Sequence, residues 1–249
     1  MSVKIYDIRD FNWGWMNSPV YKKNGEEEFV YHKNKSTPLG KYHKISMIKE
    51  IFDLKIYQKH NNVQENDIVV DVGASVGPFS YSIKNKNPKH IYCIEPCINE
   101  FKTLEDNLSK HKNISLINKG ISHKNGIIKT NTLFGDEDTM NAFTFKKFIS
   151  ENKIKKIDFL KFDCEGGEYD IFNFKNKNWL QKNLKYAAGE FHLSTPELKT
   201  KFRKFRDSFL PYFPHHRVHA VCGTDIKWDL WNEHFIEFYN EVIFYIDNR

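Results

Sequence analysis

The 249-residue sequence contains no apolar run approaching the roughly 18 residues that cross a bilayer, which excludes a transmembrane helix and predicts a soluble protein. Its opening stretch, MSVKIYDIRDFNWGW, lacks the apolar centre of a signal peptide, so a cytoplasmic location is expected. The four cysteines, Cys93, Cys97, Cys164 and Cys222, form no CxxC pair. They are expected as reduced thiols and not as zinc ligands, with Cys93 and Cys97 partly buried around a strand end. Neither sign of charge dominates: 38 Lys and Arg face 32 Asp and Glu, and the net +6 is spread over turns such as NKNPKH. That balance permits an anionic partner without requiring one. Internal repeats and low-complexity segments are also missing, which excludes an array architecture.

What is present is enough chain for one substantial α/β domain. Residues 1–62 are irregular and read as a lead-in or cap, with a helix expected around Lys44–Gln58. From residue 63 onward the texture is that of one domain to residue 249, in which short apolar runs alternate with amphipathic stretches. The runs are Ile68–Val72, His90–Ile94, Ile114–Ile117, Ile127–Thr130, Ile157–Phe162, Tyr186–Leu193, Val218–Cys222 and Glu241–Ile246. Helices are expected at Pro78–Lys84, Ile98–Ser109, Phe143–Glu151, Glu168–Phe174 and Pro196–Phe209. Such alternation predicts a largely parallel sheet, and the last two runs, with no convincing helix between them, read as an antiparallel pair.

Three stretches carry chemistry. DVGASVGPFS follows the run Ile68-Val69-Val70, so a strand delivers the chain into a turn in which Gly73 and Gly77 leave room for a close neighbour. The spacing is not the GxGxxG of dinucleotide folds, which turns the reading away from a pyrophosphate. In IYCIEP, Glu95 stands at the tip of the next strand, where a carboxylate accepts both ribose hydroxyls of an adenosine ligand. In IDFLKFDCEGGEYDIF, a strand opens into Asp163, Glu165 and Glu168 around two glycines. That cluster can orient a hydroxyl, take a proton or hold a cation, although Glu168 alone reads as a helix cap.

DVGASVGPFS, IEPCINEFKTLEDNL, IDFLKFDCEGGEYDIF and AAGEFHLS, in that order over about residues 63–195, resemble the motifs of the FkbM family of S-adenosylmethionine-dependent methyltransferases. The resemblance implies a class I methyltransferase fold: a Rossmann-like, mostly parallel seven-stranded sheet with an antiparallel last strand and helices on both faces. It implies S-adenosylmethionine as cofactor, with Asp71, Gly73, Ala74, Ser75, Gly77 and Phe79 around the methionine end, Glu95 and Pro96 at the ribose, and Asp163 beside the methionine amino group. Ser75 departs from the asparagine usual in the family's turn, and Gly167 from the common alanine.

A hydroxyl acceptor needs a base, for which Asp163, Glu165, Glu190 and His192 are the candidates; His192 ordinarily titrates near neutrality. Asp163 with Glu190 would suit a divalent ion, yet carboxylates recur at such strand ends without one, so no metal ligand is assigned. The expected activity is O-methylation of a sugar, glycan or related small molecule. The alternatives are a 2′-O-methyltransferase of RNA and a nucleoside-binding module without turnover. In FRKFRDSF, Leu198, Phe202, Phe205 and Phe209 make a helical core stripe with Lys199, Lys201, Arg203 and Lys204 outside, so nucleic acid is not the favoured partner. His215, His216, Arg217 and His219 read as a polar loop. Oligomeric state is left open.

Overall fold

In the computed structural model the described residues are 49–131, 137–221 and 223–249. The strands are β1 (Ile68–Val72), β2 (His90–Ile94), β3 (Ile114–Ile117), β4 (Gly120–Ile121), β5 (Gly126–Asn131), β6 (Glu137–Phe143), β7 (Ile157–Phe162), β8 (Leu184–His192), β9 (His216–His219) and β10 (Glu241–Asp247); the β-branched and aromatic runs account for all but β4 and β6, which were not expected. The helices are α1 (Pro78–Ile83), α2 (Ile98–Leu108), α3 (Phe145–Glu151), α4 (Glu168–Ile171), α5 (Lys177–Asn183), α6 (Pro196–Lys204) and α7 (Glu233–Phe238). Polar residues fix the starts of several: the Thr144 side chain accepts the Lys147 N–H, Thr195 that of Leu198, and Asn232 that of His234.

The main sheet has seven strands in the order β3-β2-β1-β7-β8-β10-β9. Strands β3, β2, β1, β7 and β8 are parallel, and β10 runs antiparallel to both β8 and β9. This is the class I methyltransferase architecture, with the last strand reversed. The run at 127–130 belongs elsewhere: β5 pairs antiparallel with β6 in a separate three-stranded sheet that β4 completes.

Alternation along the strands sends side chains to two cores. Val70, Val72, Leu160, Phe162 and Phe191 join Phe148, Leu180, Phe202 and Phe235 on one face. Val69, Phe159, Ala188 and Ile243 join Phe79, Leu104 and Leu108 on the other. Helices therefore cover both faces. Phe191 is the hub of the first core, stacked on Phe205 at 4.1 Å and edge-on to Phe244 at 5.0 Å and Phe162 at 5.3 Å. Burying such a ring contributes on the order of 2–3 kcal/mol. Ile51, Ile56 and Tyr57 pack into the second core, so the described end of the lead-in lies against the sheet.

Several sequence expectations need correction. Residues 44–48 lie outside the described chain, and the rest of the expected helix is a single wide turn, Lys49–Asp53, followed by a tight turn, Ile56–Gln58. Lys55 between them is left-handed at φ 50°, which no α-helix accommodates. Helices α5 and α7 were not anticipated, the latter lying between the last two strands where no convincing helix was read; α4 stops at Ile171, and β9 ends at His219, with Cys222 outside the described residues. Cys93 is fully buried within β2 and Cys97 is exposed, so neither is partly buried. Among the described residues no helix is long and apolar enough to cross a membrane.

The register positions the site. Val72 at the end of β1 lies beside both Ile94 and Phe162, the last residues of β2 and β7. Phe162 in turn lies beside Gly189, so β8 continues three residues further, to His192. Gly73, Glu95 and Asp163 are thus the first residues past a common edge, and Glu190 and His192 project beyond it from one side of β8.

Candidate active site

The turn after β1 is held by backbone. The N–H groups of Gly73 and Ala74 both donate to the Ile94 carbonyl at 3.0 Å, and Asp163 N–H donates to the Val72 carbonyl at 3.1 Å. Gly73 has φ 72°, and a Cβ there would lie 1.7 Å from the Asp163 carbonyl oxygen. Glycine is required because two strand ends touch, not because a ligand must enter. Gly77, at φ 89°, leads into α1, and its Cβ would meet Leu104 Cδ1 at 2.7 Å and Leu108 Cδ1 at 2.9 Å. Its glycine serves the packing of α2. Ser75 is left-handed at φ 50°, a conformation that asparagine tolerates better, which accounts for the family's usual residue there.

Glu95 is almost wholly buried, and its two carboxylate oxygens accept Ser75 N–H at 2.8 Å and Cys97 N–H at 2.7 Å. Burial, and then the charge of Glu100, push its pKa up to about 8, against the opposite pull of the two N–H donors. Each oxygen keeps a second lone pair for a hydroxyl. A carboxylate with two spare lone pairs at the tip of β2 is a group to which the ribose hydroxyls of S-adenosylmethionine can donate. Asp71 and Phe79 support the turn from below. Asp71 accepts Ser80 Oγ–H at 2.7 Å, while Phe79 lies in the second core with its ring edge-on to Tyr57 at 6.0 Å. Ala74 is buried and Pro96 half-buried.

The second part of the site is a charged cluster. Lys161, a cation inside an otherwise hydrophobic strand, pairs in register with Asp71 and stands 3.3 Å from its Oδ1. That oxygen makes no hydrogen bond, so the contact is an ion pair without hydrogen-bond geometry. The Lys161 ammonium donates to the Gly73 carbonyl at 2.6 Å and lies 3.9 Å from Asp163 Oδ2. Burial opposes its charge, but Asp71 and Asp163 outweigh burial and hold its pKa above the usual lysine value. The Tyr57 hydroxyl sits between Asp163 Oδ2, at 3.0 Å, and Glu190 Oε1, at 2.9 Å. Burial first, then the Asp163 charge, raise Glu190 well above the carboxylate range.

His192 is buried, and both its backbone N–H, at 2.8 Å, and its Nδ1, at 3.3 Å, reach Glu168 Oε1. Glu168 is therefore more than the helix cap it resembles in sequence: it also accepts Gly166 N–H at 2.8 Å and fixes the imidazole. Burial by itself would lower the His192 pKa. The hydrogen bond and charge of Glu168, followed by Asp163 and Glu165, overcome burial and raise it well above 6.5, so His192 does not titrate near neutrality as its type suggests. Glu165 is the outermost member, with its Oε2 3.6 Å from His192 Nε2.

Asp163, Glu165, Glu190 and His192 are thus brought together, and backbone contact joins them to the Gly73–Glu95 turn. Sequence reasoning missed Lys161, Tyr57 and the positioning role of Glu168. The lysine interrupting the run IDFLKF was the available signal for the first, and nothing local marked Tyr57. Three basic residues of α6 face acidic partners: Arg203 pairs with Glu233 at 2.8 Å and Glu237 at 3.0 Å, Lys199 with Glu237 at 3.1 Å, and Lys201 with Glu197 at 2.8 Å. His219 is no loop residue: it ends β9 and faces His60, Nε2 to Nε2, at 3.2 Å.

The sequence model of the Methyltransferase FkbM domain matches residues 71–218. No curated protein matches the chain. Among solved structures, methyltransferase FkbM from Methylobacillus flagellatus is similar with 16% identity and a TM-score of 0.49, over 76% of this chain and 45% of that one. This chain therefore spans less than half the length of that relative. Fibrillarin from Aeropyrum pernix, solved with natively bound S-adenosyl-L-methionine, is 13% identical with a TM-score of 0.48, over 92% of this chain and 82% of that one. Precorrin-6y C5,15-methyltransferase from Geobacter metallireducens is 14% identical with a TM-score of 0.43, over 82% and 87%. The domain match spans more than half of the chain, from within β1 to β9, and takes in Glu95, Asp163, Glu190 and His192: the chain belongs to the FkbM methyltransferase family.

Proposed function

We propose that the protein transfers a methyl group from S-adenosylmethionine to a hydroxyl of a sugar, glycan or related small molecule. Family membership supports methyl transfer from this cofactor, and the observation that carries the hydroxyl acceptor is the contact of Gly73 with Asp163. It joins a turn shaped for an adenosine-type ligand to a cluster of carboxylates and an imidazole. When bound, the cofactor supplies a methyl carbon already activated on a sulfonium, so positioning provides most of the acceleration.

In this reading the Ser75–Glu95 arrangement holds the ribose hydroxyls, and Asp163 holds the methionine ammonium. Glu165, the outermost of the carboxylates, stands at the exposed rim within reach of the acceptor's proton, with His192 Nε2 3.6 Å behind it. Lys161 keeps Asp163 and the Gly73 carbonyl in place from beneath.

Calorimetry with S-adenosylhomocysteine tests the cofactor: binding that is lost in Glu95→Ala is expected, and no binding by the parent protein refutes the reading. Transfer of a radiolabelled methyl group, compared between glycans and capped RNA, tests the acceptor. Incorporation into glycans is expected; label in RNA alone overturns the sugar and establishes a ribose 2′-O-methyltransferase.

A further inference from the structure

Three side chains at the ends of β7 and β8 share one arrangement: each is anchored through one polar atom and leaves its other donor atom open. Asp163 accepts the Tyr57 hydroxyl on Oδ2 at 3.0 Å and presents Oδ1 to His192. Glu190 accepts on Oε1 at 2.9 Å, while its Oε2 carries no hydrogen bond among the described residues. His192 engages Glu168 through Nδ1 at 3.3 Å. Its Nε2 makes no hydrogen bond among the described residues and stands 3.8 Å from Asp163 Oδ1 and 3.6 Å from Glu165 Oε2. The imidazole is only 5% exposed, so Nε2 faces the cluster from a buried ring and meets the two carboxylates at ion-pair distance without a hydrogen bond.

One donor atom from each of Asp163, Glu190 and His192 lies within 4.8 Å of the other two. A cation with bonds of about 2.1 Å spaces its donors roughly 3–4 Å apart, so small rotations of these side chains complete the set. We propose that Asp163, Glu190 and His192 bind one divalent cation of borderline hardness, such as Mn2+, whose remaining positions receive neighbouring hydroxyls of the acceptor. Two carboxylates with one imidazole suit such an ion. The partners on the far side of each ligand, Tyr57 on both carboxylates and Glu168 on the imidazole, are the outer contacts that orient metal ligands and fix the histidine tautomer. Asp163, Glu165, Glu168 and Glu190 crowd around Lys161 and His192, and a dication offsets that excess of carboxylate. A hydroxyl held on the cation loses its proton more easily, and Glu165, at the exposed rim, is placed to take it. This role in turnover rests on the methyl-transfer reading; the site itself does not.

The test is a Mn2+ titration of the chelator-treated full chain, followed by electron paramagnetic resonance. About one tightly held Mn2+ per chain is expected, with echo modulation from a coordinated imidazole nitrogen. His192→Gln should abolish that nitrogen signal, and it and Glu190→Gln should each weaken binding at least tenfold, while Tyr57→Phe, which keeps all three donors, should weaken it about tenfold. Far-ultraviolet circular dichroism confirms folding of each variant, and the nitrogen signal of the parent protein needs no variant at all. Absence of Mn2+ binding up to about 1 mM, or binding without a nitrogen signal and indifferent to the substitutions, overturns the site. Calorimetry with S-adenosylhomocysteine on the same sample separates the two readings: cofactor binding without Mn2+ refutes only the cation, and Mn2+ without cofactor refutes only methyl transfer.

Discussion

On the proposed reading, in which Glu95 receives the ribose hydroxyls, cofactor binding should strengthen as pH rises. The Glu95 carboxyl is pushed up to about 8 by burial and by Glu100, so the free protein at pH 7 holds the proton in about nine molecules of ten. Hydroxyl groups bond more strongly to the ionised carboxylate, so a ligand presenting ribose hydroxyls favours loss of that proton. Binding S-adenosylhomocysteine at pH 7 should then release close to 0.9 proton, and affinity should rise nearly tenfold from pH 6 to pH 7 before levelling off above about pH 8. The sign follows from linkage: the free state binds more protons than the complex, so raising the pH favours the complex. Calorimetry in phosphate and in Tris at one pH measures the proton, because the two buffers differ in ionisation heat. Glu95→Gln, which keeps the shape but cannot titrate, should remove the difference. Equal heats in both buffers, with an affinity flat between pH 6 and pH 8, would refute the reasoning.

Two stability predictions follow from the same edge of the sheet. Gly73→Ala forces a left-handed alanine whose Cβ would lie 1.7 Å from the Asp163 carbonyl oxygen, so β1 and β7 must part at their ends. A loss of about 3 kcal/mol or more is expected, seen as a fall in Tm of roughly 6–12 °C, and an unchanged melting curve would contradict the close contact. Lys161→Met leaves Asp71 buried without its ion pair, which should cost about 3–5 kcal/mol in urea unfolding. The double variant Lys161→Met with Asp71→Asn should recover part of that loss; no recovery would mean that the pair is not what holds the lysine.

Short-range signals were legible and long-range ones were not. The turn at 73–77 and Glu95 could be found because a short apolar run, two glycines and a spaced acid are neighbours in the chain. The purpose of the glycines was hidden, since Gly73 answers to Asp163 and Gly77 to Leu104 and Leu108, residues that only the fold brings near. Lys161 reads as a flaw in an apolar strand until its register with Asp71 is known. The helix expected at 44–58 followed the spacing of isoleucines, and the left-handed Lys55 that breaks it leaves no mark in that spacing. Glu168 showed only its local role at the start of α4, because its bond to His192 crosses from one strand end to the next. The antiparallel last strand was expected because no convincing helical pattern separates the last two apolar runs in sequence; the reversal is observed, although the short helix α7 does lie between β9 and β10.

The hydroxyl of Tyr57 rests between Asp163 and Glu190, on a side chain supplied by the segment that precedes β1. One phenol thus ties the ends of β7 and β8 to a residue outside the sheet. The spacing of the two carboxylates is set from the lead-in, so a change there reaches the sheet edge without any substitution in the strands.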